Sequence, residues 1–288
     1  MRAMTPLPAA TVVVVREGAR DPLEVFLVKR HGRSGFMAGA HVFPGGRVDE
    51  GDRAFAERLS DRLLEAAAAH LDQALPTVEA AAFALAAVRE TAEECGLLLA
   101  RDAGGALPGA DVADEVFRAL QAGEPFAALL SARGLVPDLE ALAPLAWWIT
   151  PEAEPKRFDT RFFLARAPSE QRARADLKET TEGEWLSPLA ALSAYEAGRI
   201  HLAPPTLATL EDLAPCDSFD AARQTALRPA RPCCPKLIPG DEGLVLALPG
   251  DPLHDEPERA LRGERTRVVM TPEGRFRSES IPRLATSD

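Results

Sequence analysis

Two hydrophobic rhythms divide the chain. Val12, Val13, Val14 and Val15 form an unbroken apolar run, and a second, Val25 to Val28, lies within 24–29. Both are too short for buried helices and read as β-strands, with 16–21 and its Gly18 as their turn. Residues 41–43 read as a short strand, and 145–150 as another. In 157–165, Phe158, Thr160, Phe162 and Leu164 alternate with Asp159, Arg161 and Phe163, the period of two that a strand requires. Elsewhere the period lengthens. Leu85, Val88, Ala92 and Cys95 recur at i, i+3, i+7 and i+10, one stripe of a helix predicted over 78–99, with Thr77 as its N-cap and Gly96 at its end. Residues 52–74 read as a helix or helix pair, and 111–133 as helix broken at Gly123-Glu124-Pro125. Helices are also predicted over 186–197 and 206–212. Strands and helices interleaved in this way predict an α/β chain, an α/β/α sandwich around a mixed sheet.

The texture changes near residue 228, where Pro229, Pro232, Pro235, Pro239, Pro249, Pro252 and Pro257 follow closely. Strands are expected at 244–248, 265–270 and 275–277. The predicted organisation is a main domain over 1–225 and an extension over 226–288 that docks on the core or on a second subunit, so a homodimer is a candidate assembly. With 46% hydrophobic and 27% charged residues, composition is that of an ordinary globular chain. The formal net charge of −11 argues against a nucleic-acid partner, because no basic surplus is available to neutralise phosphates. Four valines are too few for a membrane span, so no membrane partner is expected. Cys95, Cys216, Cys233 and Cys234 form no C-x2-C pair, and the last residues carry no S-K-L address; a reduced, cytoplasmic setting is the expectation.

Chemistry concentrates on the predicted 78–99 helix. Glu90, Glu93 and Glu94 are three and four residues apart and fall within about 100° of arc, opposite the apolar stripe. Like charges so placed repel, and a cluster of hard oxygen ligands suits Mg²⁺ or Mn²⁺; a solvated acidic face is the plainer reading of the same residues. Upstream, Phe43-Pro44-Gly45-Gly46-Arg47 places two glycines on a strand-to-loop turn, where backbone can approach a ligand closely.

A glycine turn feeding an acidic helix resembles the Nudix hydrolase signature, G-x5-E-x7-R-E-U-x-E-E-x-G-U with U apolar. Gly46, Arg89, Glu90, Glu93, Glu94, Gly96 and Leu97 match it. Asp52 stands where the signature has Glu, and the polar Thr91 stands at a U position. The signature would put its Arg at position 60; here it is Arg89, 29 residues further on. Such a split signature resembles the branch that includes peroxisomal coenzyme A diphosphatase, as do the segment 34–46 and His201-Leu202-Ala203-Pro204-Pro205-Thr206. Helical insertions are then expected at about 53–77 and 111–135.

The resemblance implies an enzyme that hydrolyses a small-molecule diphosphate. Glu90, Glu93, Glu94 and the Gly46 carbonyl would hold one to three divalent ions, Mg²⁺ or Mn²⁺. Arg89 would orient the cluster, and Asp52 would anchor loop to helix. Glu182, with Glu184 nearby, is the candidate general base, against the plainer reading of an exposed acidic turn. Lys29, Arg30 and Arg33, with Gly45 and Gly46, are candidate substrate contacts; a solvated strand end is the alternative. Leu27, Arg30, Gly39 and Phe43-Pro44-Gly45-Gly46 also match the upstream motif of bacterial-type coenzyme A diphosphatases, whose second Arg falls on Gly35 here. His41, Trp147-Trp148 and Phe162-Phe163 read as packed residues rather than ligand contacts. The expected reaction cleaves coenzyme A or an acyl-CoA to 3′,5′-ADP and (acyl-)4′-phosphopantetheine. A nucleotide sugar, a dinucleotide or NADH is the alternative substrate, and a catalytically silent ligand sensor is the reading from another class.

Overall fold

The computed structural model describes residues 4–18, 21–31, 39–69, 71, 75–176, 180–225, 231–240 and 243–280. Four strands open the chain: β1 (Leu7–Arg16), β2 (Glu24–Arg30), β3 (His41–Val42) and β4 (Gly45–Arg47). Helices α1 (Glu50–Ala56), α2 (Asp61–Ala68) and α3 (Thr77–Cys95) follow, then β5 (Ala100–Arg101), α4 (Ala110–Gln121), α5 (Phe126–Ala132) and β6 (Val136–Pro137). The chain returns to the sheet with β7 (Ala143–Ile149), β8 (Phe158–Arg166) and β9 (Thr180–Leu186). It continues through α6 (Pro188–Glu196), α7 (Pro204–Leu213), α8 (Phe219–Gln224) and β10 (Pro232–Cys233). The last strands are β11 (Lys236–Pro239), β12 (Leu244–Ala247), β13 (Arg265–Met270) and β14 (Phe276–Ser280).

The main sheet runs β10-β7-β8-β1-β2-β3, with β4 paired to β1 and β9 to β2. It is mixed: β1 lies parallel to β8 and antiparallel to β2, and β7 lies antiparallel to β8. Both faces are buried, which explains the unbroken valine run of β1. Val12, Val14, Phe26, Val28 and Phe163 face a core formed with α1 to α5. Val13, Val15, Val25, Leu27 and Leu164 face the opposite core, formed with α6, α7 and the C-terminal strands. The expected α/β/α sandwich is therefore the observed fold.

The differences from the sequence reading are local. Pro76, not Thr77, is the N-cap of α3, and no side-chain hydrogen bond closes that end. The helix stops at Cys95 rather than running to 99, because Gly96 turns left-handed at φ 67°. The glycine segment is not a free turn: Gly45–Arg47 pairs with Thr11, Ala10 and Ala9 of β1. Glu182 and Glu184 stand on strand β9, not on a loop or turn.

From Lys236 onward the chain forms the antiparallel sheet β11-β12-β13-β14. Leu246, Leu248 and Val268 enter the core beneath α6 and α7. Tyr195 Oη of α6 donates to the Phe276 carbonyl at 2.9 Å, and Arg262 Nε donates to Asp212 Oδ2 of α7 at 3.0 Å.

Candidate active site

The site begins where β4 passes between β1 and α3. A side chain at Gly45 would run into the β1 backbone, 2.7 Å from Thr11 Cα. A Cβ at Gly46 would fall on the Glu90 carboxylate. The two glycines thus let the strand pass edge-on between sheet and helix, and they bring the Gly46 backbone against an acidic side chain. The Gly45 amide donates to Glu94 Oε2 at 2.9 Å, tying strand to helix.

Beyond β4 the chain turns into α1 through a reciprocal cap. Asp52 N donates to Asp49 Oδ1 at 2.8 Å, and Asp49 N donates to Asp52 Oδ2 at 3.0 Å. This cap fixes the Asp52 carboxylate, which is buried at 3% exposure. Arg89 grips it as a fork, Nε to Oδ1 at 2.9 Å and Nη2 to Oδ2 at 2.8 Å. The same guanidinium donates to Glu90 Oε1 at 2.8 Å, to Glu93 Oε2 at 2.9 Å and to the Arg47 carbonyl at 3.0 Å. Asp52 and Arg89, 37 positions apart, are the joint that closes the split signature across α1 and α2.

Charge is unbalanced here. Asp52, Glu90 and Glu93 gather around one guanidinium, with Asp49 at 4.0 Å, while Glu94 is held by the Gly45 amide. Burial pushes the Glu90 carboxyl up to about 7, with Arg89 opposing the rise and Glu93 adding to it. Burial likewise raises Glu93 and Asp52 against the pull of Arg89. Burial alone would disfavour the Arg89 charge, yet the hydrogen bond to Asp52 and the surrounding carboxylates hold it above the ordinary arginine value. Thr91 accounts for its own polarity: its buried hydroxyl donates to the Ala87 carbonyl at 2.7 Å, so no unpaired donor enters the core.

The domain family described as NUDT19 Nudix domain matches residues 56–213 of this chain. The chain is a Nudix hydrolase. It is 31% identical to the acyl-coenzyme A diphosphatase NUDT19 of Gallus gallus, over 81% of this chain and 73% of that one. Its identity to the protein of the same name from Homo sapiens is 28%, over 92% of this chain and 81% of the relative. The crystal structure of a Nudix hydrolase from Alicyclobacillus acidocaldarius superposes with a TM-score of 0.65 at 32% identity, covering 77% of this chain and 97% of that one.

Nudix hydrolases use divalent metals, and the donor set fits one. Asp52, Glu90 and Glu93 share a single guanidinium, Glu94 stands next to Glu93 on the same helix, all are hard oxygen donors, and the Gly46 backbone lies against Glu90 where any side chain would block the approach. Among the described residues no three His, Cys, Asp or Glu side chains are already drawn together as an ion cage. Glu90 and Glu93 each place one oxygen on Arg89.

The other sequence candidates of this Nudix hydrolase separate. In β2, Phe26 and Val28 face α3 while Val25 and Leu27 face away. Alternation therefore puts Arg30 on the α3 face and Lys29 on the other, so the two do not form one grip. Arg33 lies outside the described residues, as does Gly35. Lys29 instead meets Glu182 at 3.5 Å, and His41 Nε2 comes within 3.9 Å of Glu184. Glu182 and Glu184 share this face, because Trp185 between Glu184 and Leu186 packs toward α3. Strand parity thus turns Glu182, the general-base candidate of the sequence, away from the α3 carboxylates. Three contributors escaped the sequence reading. Asp49 caps α1, the Arg47 carbonyl receives Arg89, and Gln121 Nε2 of α4 donates to the Glu93 carbonyl at 2.9 Å. Only the first left a signal, the D-x-x-D spacing of a reciprocal cap.

Proposed function

We propose that this Nudix hydrolase cleaves the diphosphate of coenzyme A or an acyl-CoA, releasing 3′,5′-ADP and (acyl-)4′-phosphopantetheine. The observation that carries the substrate class is the similarity, over most of both chains, to relatives named acyl-coenzyme A diphosphatase. Arg30 supports it. This cation lies on the α3 face at the end of β2, and its buried Nε has no hydrogen-bond partner among the described residues. It is the substrate contact we retain for a phosphate of the ligand, with the Gly45-Gly46 backbone beside it.

Glu90, Glu93, Glu94 and the Gly46 carbonyl would hold the divalent ion, Mg²⁺ or Mn²⁺, which supplies charge neutralisation for the diphosphate and acidifies a water. The chain's own residues do the positioning. Asp52 holds Arg89, and Arg89 holds one oxygen each of Glu90 and Glu93, which fixes their remaining oxygens. With Glu182 turned away, the base role falls to an α3 carboxylate. Glu93 is the most open of those Arg89 holds, at 34% side-chain exposure against 13% for Glu90, so water reaches it most readily.

Chromatography of the products from coenzyme A, dephospho-CoA, NADH and a nucleotide sugar, with Mg²⁺ and with Mn²⁺, tests the reading. The expected result is 3′,5′-ADP from coenzyme A, with dephospho-CoA the poorer substrate. Arg30→Ala should raise KM for coenzyme A about 10-fold, as loss of a charge-assisted phosphate contact does. A strong preference for NADH or a nucleotide sugar would overturn the substrate assignment while leaving the Nudix chemistry intact.

A further inference from the structure

Across the sheet from α3 lies a partly open cavity of about 230 Å³, lined by β7, α7, β10 and the segment leading into β13. The catalytic carboxylates do not line it. Its wall residue Trp148 belongs to the core on the side opposite α3. Three features set it apart from a packing defect. It is lined by three cations, Arg231, Arg262 and Arg265, and by one carboxylate, Asp212. Arg262 is 7% exposed at its side chain, and its buried Nη1 has no hydrogen-bond partner among the described residues, although Nε and Nη2 are engaged by Asp212, Glu211 and the Ala208 carbonyl. The remaining wall is largely apolar, with Trp148 and Leu261 contributing flat and aliphatic surface.

An unpaired buried guanidinium donor is costly unless a ligand oxygen meets it. A cavity of roughly 150 Å³ accepts benzene. The larger space here suits a fused bicycle, and an indole wall favours a flat ring. Planar guanidiniums match phosphate oxygens in forked pairs, and the exposed Arg231 can meet a phosphate that reaches toward solvent.

We infer that this cavity is a second ligand site, separate from the catalytic helix, for a purine nucleotide. The base would lie against Trp148 and the phosphate would meet Arg231 and Nη1 of Arg262, Arg265 being held by Glu211 and Asp212. A free nucleoside monophosphate and the purine bisphosphate released by the proposed reaction share this chemistry. The inference does not depend on which substrate the enzyme cleaves.

The test is calorimetric titration of the full chain with AMP and, separately, with 3′,5′-ADP. Three variants are compared with the wild type: Arg231→Glu, Leu261→Trp, which fills the space from a half-buried position, and Glu93→Gln at the catalytic helix. The expected result is 1:1 binding that weakens about 10-fold or more in the first two variants, as loss of a charge-assisted contact and of the space itself requires, and is unchanged in Glu93→Gln. Binding of AMP alone would identify the occupant as a free monophosphate, and tighter binding of 3′,5′-ADP would identify it as the bisphosphate. Absence of binding by both nucleotides would overturn the inference. So would binding that is lost in Glu93→Gln and indifferent to Arg231→Glu and Leu261→Trp, because the nucleotide would then occupy the catalytic site.

Discussion

Replacing Asp52 with alanine tests the joint on which the split signature depends. The substitution removes both acceptors of the Arg89 fork and the acceptor for Asp49 N. Breaking a buried ion pair by removing one partner costs about 3–5 kcal/mol. The lower end applies, about 3 kcal/mol, because Arg89 keeps Glu90, Glu93 and the Arg47 carbonyl and so is not left wholly uncompensated. For 288 residues the unfolding entropy is about 0.6 kcal/mol per kelvin, so the midpoint of thermal unfolding should fall by about 5 °C. Arg89 would also lose the anchor that fixes its reach to Glu90 and Glu93, and kcat should drop about 10-fold or more, as when an outer partner of a metal ligand is removed. Asp52→Asn keeps the shape and one acceptor and should show about half the stability loss. Asp49→Ala removes only its side of the cap and should cost about 1 kcal/mol. Differential scanning calorimetry and steady-state chromatography of the 3′,5′-ADP released measure the series. If Asp52→Ala proves as mild as Asp49→Ala in both assays, the Asp52–Arg89 pair is not what joins the two halves.

Glu94→Gln keeps an acceptor for the Gly45 amide but loses the charge, so circular dichroism should be unchanged while kcat falls roughly 100-fold; near wild-type turnover at saturating Mg²⁺ would refute a ligand role. Gly46→Ala puts a methyl group where the Glu90 carboxylate sits, so Mn²⁺ affinity by calorimetry should weaken about 10-fold or more with the fold retained; unchanged affinity would contradict the close approach. The buried His41 imidazole is held below its usual pKa by burial, and then by Lys29. It therefore stays neutral in the folded chain while the unfolded chain protonates. Its contribution to stability is present above about pH 6.5 and is lost as pH falls toward the lower folded value. Urea midpoints should accordingly fall more steeply between pH 7 and 5 in the wild type than in His41→Gln, and parallel curves would sink the claim.

What the sequence alone determined is what lies within one helical repeat or one short motif. Glu90, Glu93 and Glu94 share a helix face because three and four residues complete about one turn, whatever the surroundings. Gly45-Gly46 announces a close backbone approach, and the valine run of β1 announces a strand buried on both faces. What only the tertiary structure decided depends on which surface meets which. The Asp52–Arg89 fork spans 37 positions, and its closure needs α1 and α2 to return the chain to the start of the signature. Lys29 and Arg30 are neighbours in sequence, yet strand parity sends them to opposite cores, and the same parity turns Glu182 toward Lys29 and away from α3. The cavity behind Trp148 gathers residues from 145 to 265, whose proximity no spacing encodes. Local geometry is set by backbone dihedrals and is legible residue by residue. Docking is set by which buried faces find each other, and that exists only once the sheet has formed and both of its faces are covered.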